Sequence, residues 1–164
     1  MTDLGDRIEM SGLEIQSKRR KRLVHDVSFA LRAGELIAMV GASGSGKTLS
    51  SRALLGIVDF EPGVVAAELR IVVGNQTFCP YAKCLGKGRS ARDRAFAPIR
   101  GGIVGYLAQD APNALDPMWT VGRHVSVSAA LNPKATLSEP YPWLARAGFA
   151  HPELVVGLYP HQLS

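Results

Sequence analysis

Residues Gly41-Ala42-Ser43-Gly44-Ser45-Gly46-Lys47-Thr48 fit the pattern G-x-x-x-x-G-K-[ST], and they follow directly on Leu36-Ile37-Ala38-Met39-Val40. The preceding five residues are apolar on both faces, which is what a strand in the middle of a parallel sheet requires. After the motif, Ser51, Leu54, Leu55 and Val58 recur at three and four, so a helix is expected from Lys47 to Val58, stopped by Pro62 and Gly63. Strand, glycine turn and helix in that order restrict the chain to an α/β class with a phosphate cradle at the turn. The glycines allow successive N–H groups to converge on one point at a helix N-terminus. Lys47 adds a point charge for the β- and γ-phosphates, and the Thr48 hydroxyl is a candidate magnesium ligand.

By length the 164 residues are one domain of ordinary size or a piece of a larger one. Apolar residues make up 46% and charged residues 20%, which excludes a disordered chain. The longest apolar run is the strand before the motif, too short for a membrane span. The start Met1-Thr2-Asp3-Leu4-Gly5-Asp6 is acidic where a secretory signal is basic, so a cytoplasmic location is expected. The net charge of +5 resides in Lys18-Arg19-Arg20-Lys21-Arg22; without these residues basic and acidic groups balance at 14 each. A second basic stretch, Lys83 to Arg100, has Asp93 as its one acidic residue. Phe96 is the one aromatic within the two stretches, so both read as solvated surface and no nucleic-acid partner is expected. Cys79 and Cys84, with His25, His124, His151 and His161 scattered, do not make a zinc pattern and are taken as reduced thiols in a loop.

Along the chain, residues 1–12 lack periodicity and are expected to be a frayed leader. Leu13-Glu14-Ile15 begins a short strand. In Val24–Leu31 the residues Val27, Phe29 and Leu31 alternate with smaller or polar ones, as in a half-buried strand. Glu68–Val73 reads as a strand ending at the turn dipeptide Gly74-Asn75, and Gly102–Ala108 as another apolar strand. Residues 75–100 show no regular element and read as a solvated insertion in preference to a partner contact, while 120–131 and 140–149 are amphipathic and helical. The residues alone leave two readings of the cradle open. One is a compact kinase in which Asp110 orients magnesium; the other is a transport ATPase built around Gln109.

Three spaced segments resemble the ATP-binding subunits of ABC transporters. They are Val24–Glu35 with the cradle behind it, Leu107-Ala108-Gln109-Asp110-Ala111-Pro112-Asn113-Ala114-Leu115-Asp116-Pro117 with Trp119–Gly122, and Leu158-Tyr159-Pro160-His161-Gln162-Leu163-Ser164. The second and third are similar to the branch that serves oligopeptide, dipeptide and nickel importers. The resemblance implies a P-loop NTPase core with a small antiparallel β region (13–108), then a Q-loop and the start of a helical subdomain (109–164). It implies ATP and magnesium as cofactors, with Gln109 as the Q-loop glutamine on the metal. Ser164 becomes the signature serine, which reaches the γ-phosphate held by the opposite subunit of a head-to-tail dimer. Implied partners are transmembrane permease subunits, a second ATP-binding subunit and, indirectly, an extracytoplasmic solute-binding protein, with the chain peripheral on the inner face of the membrane.

Two departures from that family pattern follow. No aromatic residue stands near Ser17 to stack on adenine, and the candidate replacement is Arg19 or Arg20, since a guanidinium plane stacks on a π-face, or an aliphatic contact. The second acidic motif, its catalytic glutamate and the switch histidine do not occur in these residues, so the C-terminal half of the core is expected to be missing and the chain is expected not to turn over ATP. A catalytically dead nucleotide-binding regulatory module and a small P-loop kinase remain as alternatives. The same cut leaves Leu36–Val40 without neighbouring strands, so a marginal, aggregation-prone fragment is expected.

Overall fold

The computed structural model describes residues 5–131 and 139–163. It divides into two compact units, Met1–Arg100 and Gly101–Ser164.

The first unit is organised by an antiparallel sheet of order β2-β1-β3-β4, formed by β1 (Arg7–Gln16), β2 (Arg22–Arg32), β3 (Gly63–Val73) and β4 (Gln76–Phe78). The alternation expected in β2 is present, with Val27, Phe29 and Leu31 half-buried and Ser28, Ala30 and Arg32 exposed. β1 starts six residues earlier than the sequence pattern indicates, so residues 7–12 are strand and not a leader. The reason is a bulge. Met10 pairs with Phe29 and Leu13 with Val27, so three steps along β1 oppose two along β2, and Gly12 at the extra position has φ +58°. Met10, Leu13 and Ile15 thereby share the buried face, joined there by Val24, Leu69 and Ile71. Asp26 (φ +48°) supplies the opposite offset on β2, since Leu13 to Ile15 is two steps while Val27 to Val24 is three.

The helix after the glycine motif, α1, runs only from Lys47 to Ala53. Gly56, at φ +63°, ends it in a Schellman arrangement: Ile57 N–H donates to the Arg52 carbonyl at 3.1 Å and Gly56 N–H to that of Ala53 at 3.1 Å. A side chain at 56 is doubly excluded, because a Cβ there would stand 2.6 Å from the Phe96 ring.

Residues 75–100 correct the reading of a solvated insertion. They form β4, α2 (Pro80–Cys84) and α3 (Arg89–Phe96), and they hold the end of α1. The buried Tyr81 hydroxyl donates to the Ala53 carbonyl at 2.7 Å. Arg100 donates from Nε to the Leu55 carbonyl at 2.8 Å and from Nη2 to that of Gly56 at 3.2 Å, while Nη1 meets Asp93 at 3.0 Å. Phe96 packs edge-on against Tyr81, centroids 5.0 Å apart. These donors satisfy carbonyls that a helix end otherwise leaves to water. Cys84 is buried on α2, not in an open loop, and both cysteines are free thiols.

Two expected strands are not formed. Leu36–Val40 is irregular chain, with Leu36 95% and Val40 91% exposed. A strand apolar on both faces needs pairing on its edges and cover above and below, and the antiparallel sheet offers it neither. Gly102–Ala108 is likewise a turn, a single bridge at Val104 and irregular chain, with Leu107 89% exposed. The parallel core of the expected fold is therefore not formed among the described residues.

The second unit contains α4 (Ala111–Ala114), α5 (Val121–Leu131), α6 (Pro140–Arg146) and α7 (Pro152–Val155), then a 3-10 turn at Pro160–Gln162. α5 and α6 fall where amphipathic helices are expected. Val121 and Gly122 at the start of α5 donate to the carbonyls of Leu158 and Val156, at 2.8 and 2.9 Å. Gly122 touches Val156 so closely that a Cβ has no space.

The burial contrast sets two expected outcomes for urea melts of the chain. Ile15→Ala destabilises by about 2–5 kcal/mol through the cavity it opens, whereas Leu36→Ser stays within about 0.5 kcal/mol because nothing packs on it. Burial also pushes the Tyr81 phenol and the Cys84 thiol upward. The folded chain thus keeps protons that the unfolded chain releases, so stability is full below the ordinary thiol pKa and falls as pH rises past it. Melts above and below pH 8.5 should show that loss, and Cys84→Ala should reduce it.

Candidate functional site

The glycine motif forms a tight loop between the irregular segment 36–40 and α1. Ser45 N–H donates to the Ala42 carbonyl at 3.2 Å, closing a turn whose later glycines, Gly44 and Gly46, have φ of +78° and +93°. Gly41 stands so near Ser45 that a Cβ would lie 2.8 Å from its Oγ. Gly46 lies against the start of β2, where a Cβ would come within 2.6 Å of Val24 Cγ2 and 3.1 Å of the Leu23 carbonyl oxygen. The wall of the cradle is thus the segment that leads out of the Lys18–Arg22 basic run. That contact is invisible in the motif itself, because it depends on how the β1–β2 hairpin returns to the loop.

Lys47 closes the loop from within. Its Nζ donates to the carbonyls of Gly41 at 2.6 Å and Ala42 at 2.7 Å and stands 3.4 Å from Ser45 Oγ. An ammonium held by two neutral carbonyls is drawn more strongly to a phosphate oxygen, where the bond is charge-assisted on both sides. Thr48 is exposed in the first turn of α1, which contains no acidic residue to compete with a bound anion. Ser43 and Ala42 are exposed on the loop. Gly41 and Gly46 leave no room for a Cβ, Gly44 does, and Lys47 turned across the loop gives it a positive charge.

Gln109 is exposed in the second unit, in a bend just before α4. Asp110, its neighbour, accepts a hydrogen bond from Asn113 Nδ2 at 2.7 Å and precedes α4. Ser164 lies outside the described residues. Arg19 and Arg20 are exposed in the β1–β2 turn, where Ser17 Oγ accepts from Lys21 N–H at 3.2 Å and Arg20 has φ +57°. Among the described residues no group of three or more His, Cys, Asp or Glu could hold a metal ion. No helix of the described residues is long and apolar enough to cross a membrane. The residues that sequence reasoning missed are Tyr81 and Arg100, which set where α1 ends and so fix the helix that begins at the cradle. No spacing pattern marks them, since both act on backbone carbonyls far away in the chain.

Two glycine variants separate space from backbone strain. Gly44→Ala meets nothing within 4 Å and should cost only the left-handed backbone penalty of about 1–2 kcal/mol. Gly46→Ala carries the same penalty and a collision with Val24, and should destabilise clearly more in urea melts.

The family model for ABC transporters matches residues 24–164 of the chain. The glutathione import ATP-binding protein GsiA of Escherichia coli O1:K1 is 28% identical over 169 residues, covering 99% of this chain and 26% of that protein. GsiA of Pectobacterium atrosepticum is 29% identical, covering 96% of this chain and 25% of its own length. The dipeptide transport ATP-binding protein DppD of Escherichia coli K12 is 29% identical over 147 residues, 87% of this chain and 41% of that protein. The chain therefore spans between about a quarter and two fifths of the length of these curated relatives. With the family model matching most of its length, the chain belongs to the ABC transporter family, in the part of it that resembles peptide-import ATP-binding proteins.

Proposed function

We propose that the chain carries the phosphate-gripping part of an ATP-binding subunit that powers a peptide importer. The observation that supports this most is the Gly41–Thr48 cradle, with Lys47 turned across it, in a chain of this family. In this reading the backbone N–H groups of Gly44, Ser45 and Gly46 surround the β-phosphate, with Gly41, Ala42 and Ser43 shaping the entrance. Lys47 leaves the carbonyls of Gly41 and Ala42 for the β- and γ-phosphate oxygens. Magnesium, when bound, neutralises charge on the γ-phosphoryl group; Thr48 and Gln109 are the residues that would hold it. Arg19 or Arg20, in the turn that leads to the cradle's wall, covers the adenine ring.

The solute class is taken from the relatives, one named for glutathione and one for dipeptides. Small peptides are therefore preferred to nickel. Permease subunits, a head-to-tail second ATP-binding subunit contacted by Ser164, and an extracytoplasmic binding protein complete the proposed assembly at the inner membrane face. No Asp-Glu pair occurs in these residues, so MgATP binding without turnover is the expected behaviour of the 164-residue chain.

Calorimetric titration with MgATP tests this. Lys47→Ala should weaken binding by about ten- to hundredfold, the loss of one charge-assisted contact. Arg19→Ala or Arg20→Ala should narrow the preference for ATP over GTP. Steady ATPase activity of the chain that vanishes in Lys47→Ala would overturn the non-turnover reading, and unchanged MgATP affinity in that variant would overturn the cradle assignment.

A further inference from the structure

We propose that a second anion site lies in the first unit, in a cavity of about 380 Å3 between β3, α2 and α3, and that it takes a small organic anion with one phosphate or carboxylate on an apolar body.

Charge is unevenly paired there. Asp93 is the one acidic residue between Lys83 and Arg100, and it is engaged by Arg100 at 3.0 Å and Arg89 at 3.8 Å. Lys87 and Arg92, which both line the cavity, have no ion-pair partner among the described residues. Arg92 is half-buried, anchored by Nη1 on the Val58 carbonyl at 3.1 Å. Its Nε is enclosed without any hydrogen-bond partner, which no other buried side-chain nitrogen or oxygen of the described residues is. A guanidinium that has lost water on one side and gained no carboxylate is stabilised by an anion brought to the part that faces the cavity. Lys87 Nζ is steered by a bond to the Lys83 carbonyl at 2.9 Å, which occupies one of its three protons.

Val64 and Leu85 also line the cavity, with the buried Cys84, so an apolar body has surface to cover. Glu61 also lines the cavity and is exposed. Its carboxylate disfavours a highly charged guest, which separates this site from the triphosphate cradle at Gly41–Thr48.

Calorimetry of the 164-residue chain with phenyl phosphate, benzoate and inorganic phosphate tests the proposal. Alkylation of Cys84 in a Cys79→Ser background reports where the ligand sits. Binding of phenyl phosphate or benzoate that slows Cys84 alkylation, weakens about tenfold in Lys87→Ala and persists in Lys47→Ala is the expected result. Arg92→Gln should abolish binding; because it could also unfold the chain, the exposed Lys87 variant decides the matter. Absence of binding by both organic anions, binding indifferent to Lys87→Ala, or binding lost in Lys47→Ala would each overturn the site. Inorganic phosphate binding as tightly as phenyl phosphate would overturn the role of the apolar wall.

Discussion

The carbonyl groups at the end of α1 are the point on which the first unit depends. A seven-residue helix is too short to persist by its own hydrogen bonds. It is held instead from outside, by Tyr81 on Ala53 and by Arg100 on Leu55 and Gly56. Phe96, packed where Gly56 leaves no side chain, makes the same junction apolar and dry. The helix that starts at the phosphate cradle is thus positioned by a segment about thirty to fifty residues later in the chain.

A second dependence runs in the other direction, from the cradle to the hairpin. Gly46 fits against Leu23 and Val24 only because it has no Cβ. The loop therefore rests on β2 at one side and on Lys47 across its mouth at the other. In the proposed function the Lys47 ammonium would pass from these two carbonyls to a phosphate, while the contact of Gly46 with β2 stays in place. The cradle can consequently be well shaped even where Leu36–Val40, just before it, is not in a sheet.

What was legible in the sequence follows from how local each signal is. The glycine turn opening α1, β2, the end of β3 and the helices α5 and α6 are set by spacing within a dozen residues, and they stand where spacing puts them. β1 was legible only from Leu13, because the Gly12 bulge breaks the period of two before that point. α1 was read too long because apolar Leu54, Leu55 and Val58 continue the helical spacing through a glycine that ends it. The segment 75–100 looked irregular because its helices are short and its decisive side chains bond to backbone, which leaves no trace in hydrophobic periodicity. Leu36–Val40 and Gly102–Ala108 carry strand sequences, but a buried strand is a property of its neighbours as much as of itself.

Two of the three register shifts in the β1–β2 hairpin, those at Gly12 and Asp26, carry a consequence for how such a chain can change length. Gly12 adds a residue to one strand and Asp26 adds one to the other, so the pairs Arg7–Arg32 and Met10–Phe29 outside them and Ile15–Val24 beyond them stand in a common register. Loss of either residue alone would turn half of β1 inside out relative to β2. Loss of both together would leave Arg7–Arg32, Met10–Phe29 and Ile15–Val24 facing as before, but would offset β1 against β3, where Val65 between the partners of Glu14 and Ile15 matches the extra residue Gly12. Length variation in β1 is therefore coupled to both of its neighbours, to Asp26 fourteen residues along the chain and to Val65 on β3, and a single insertion or deletion in β1 needs a matching change on each.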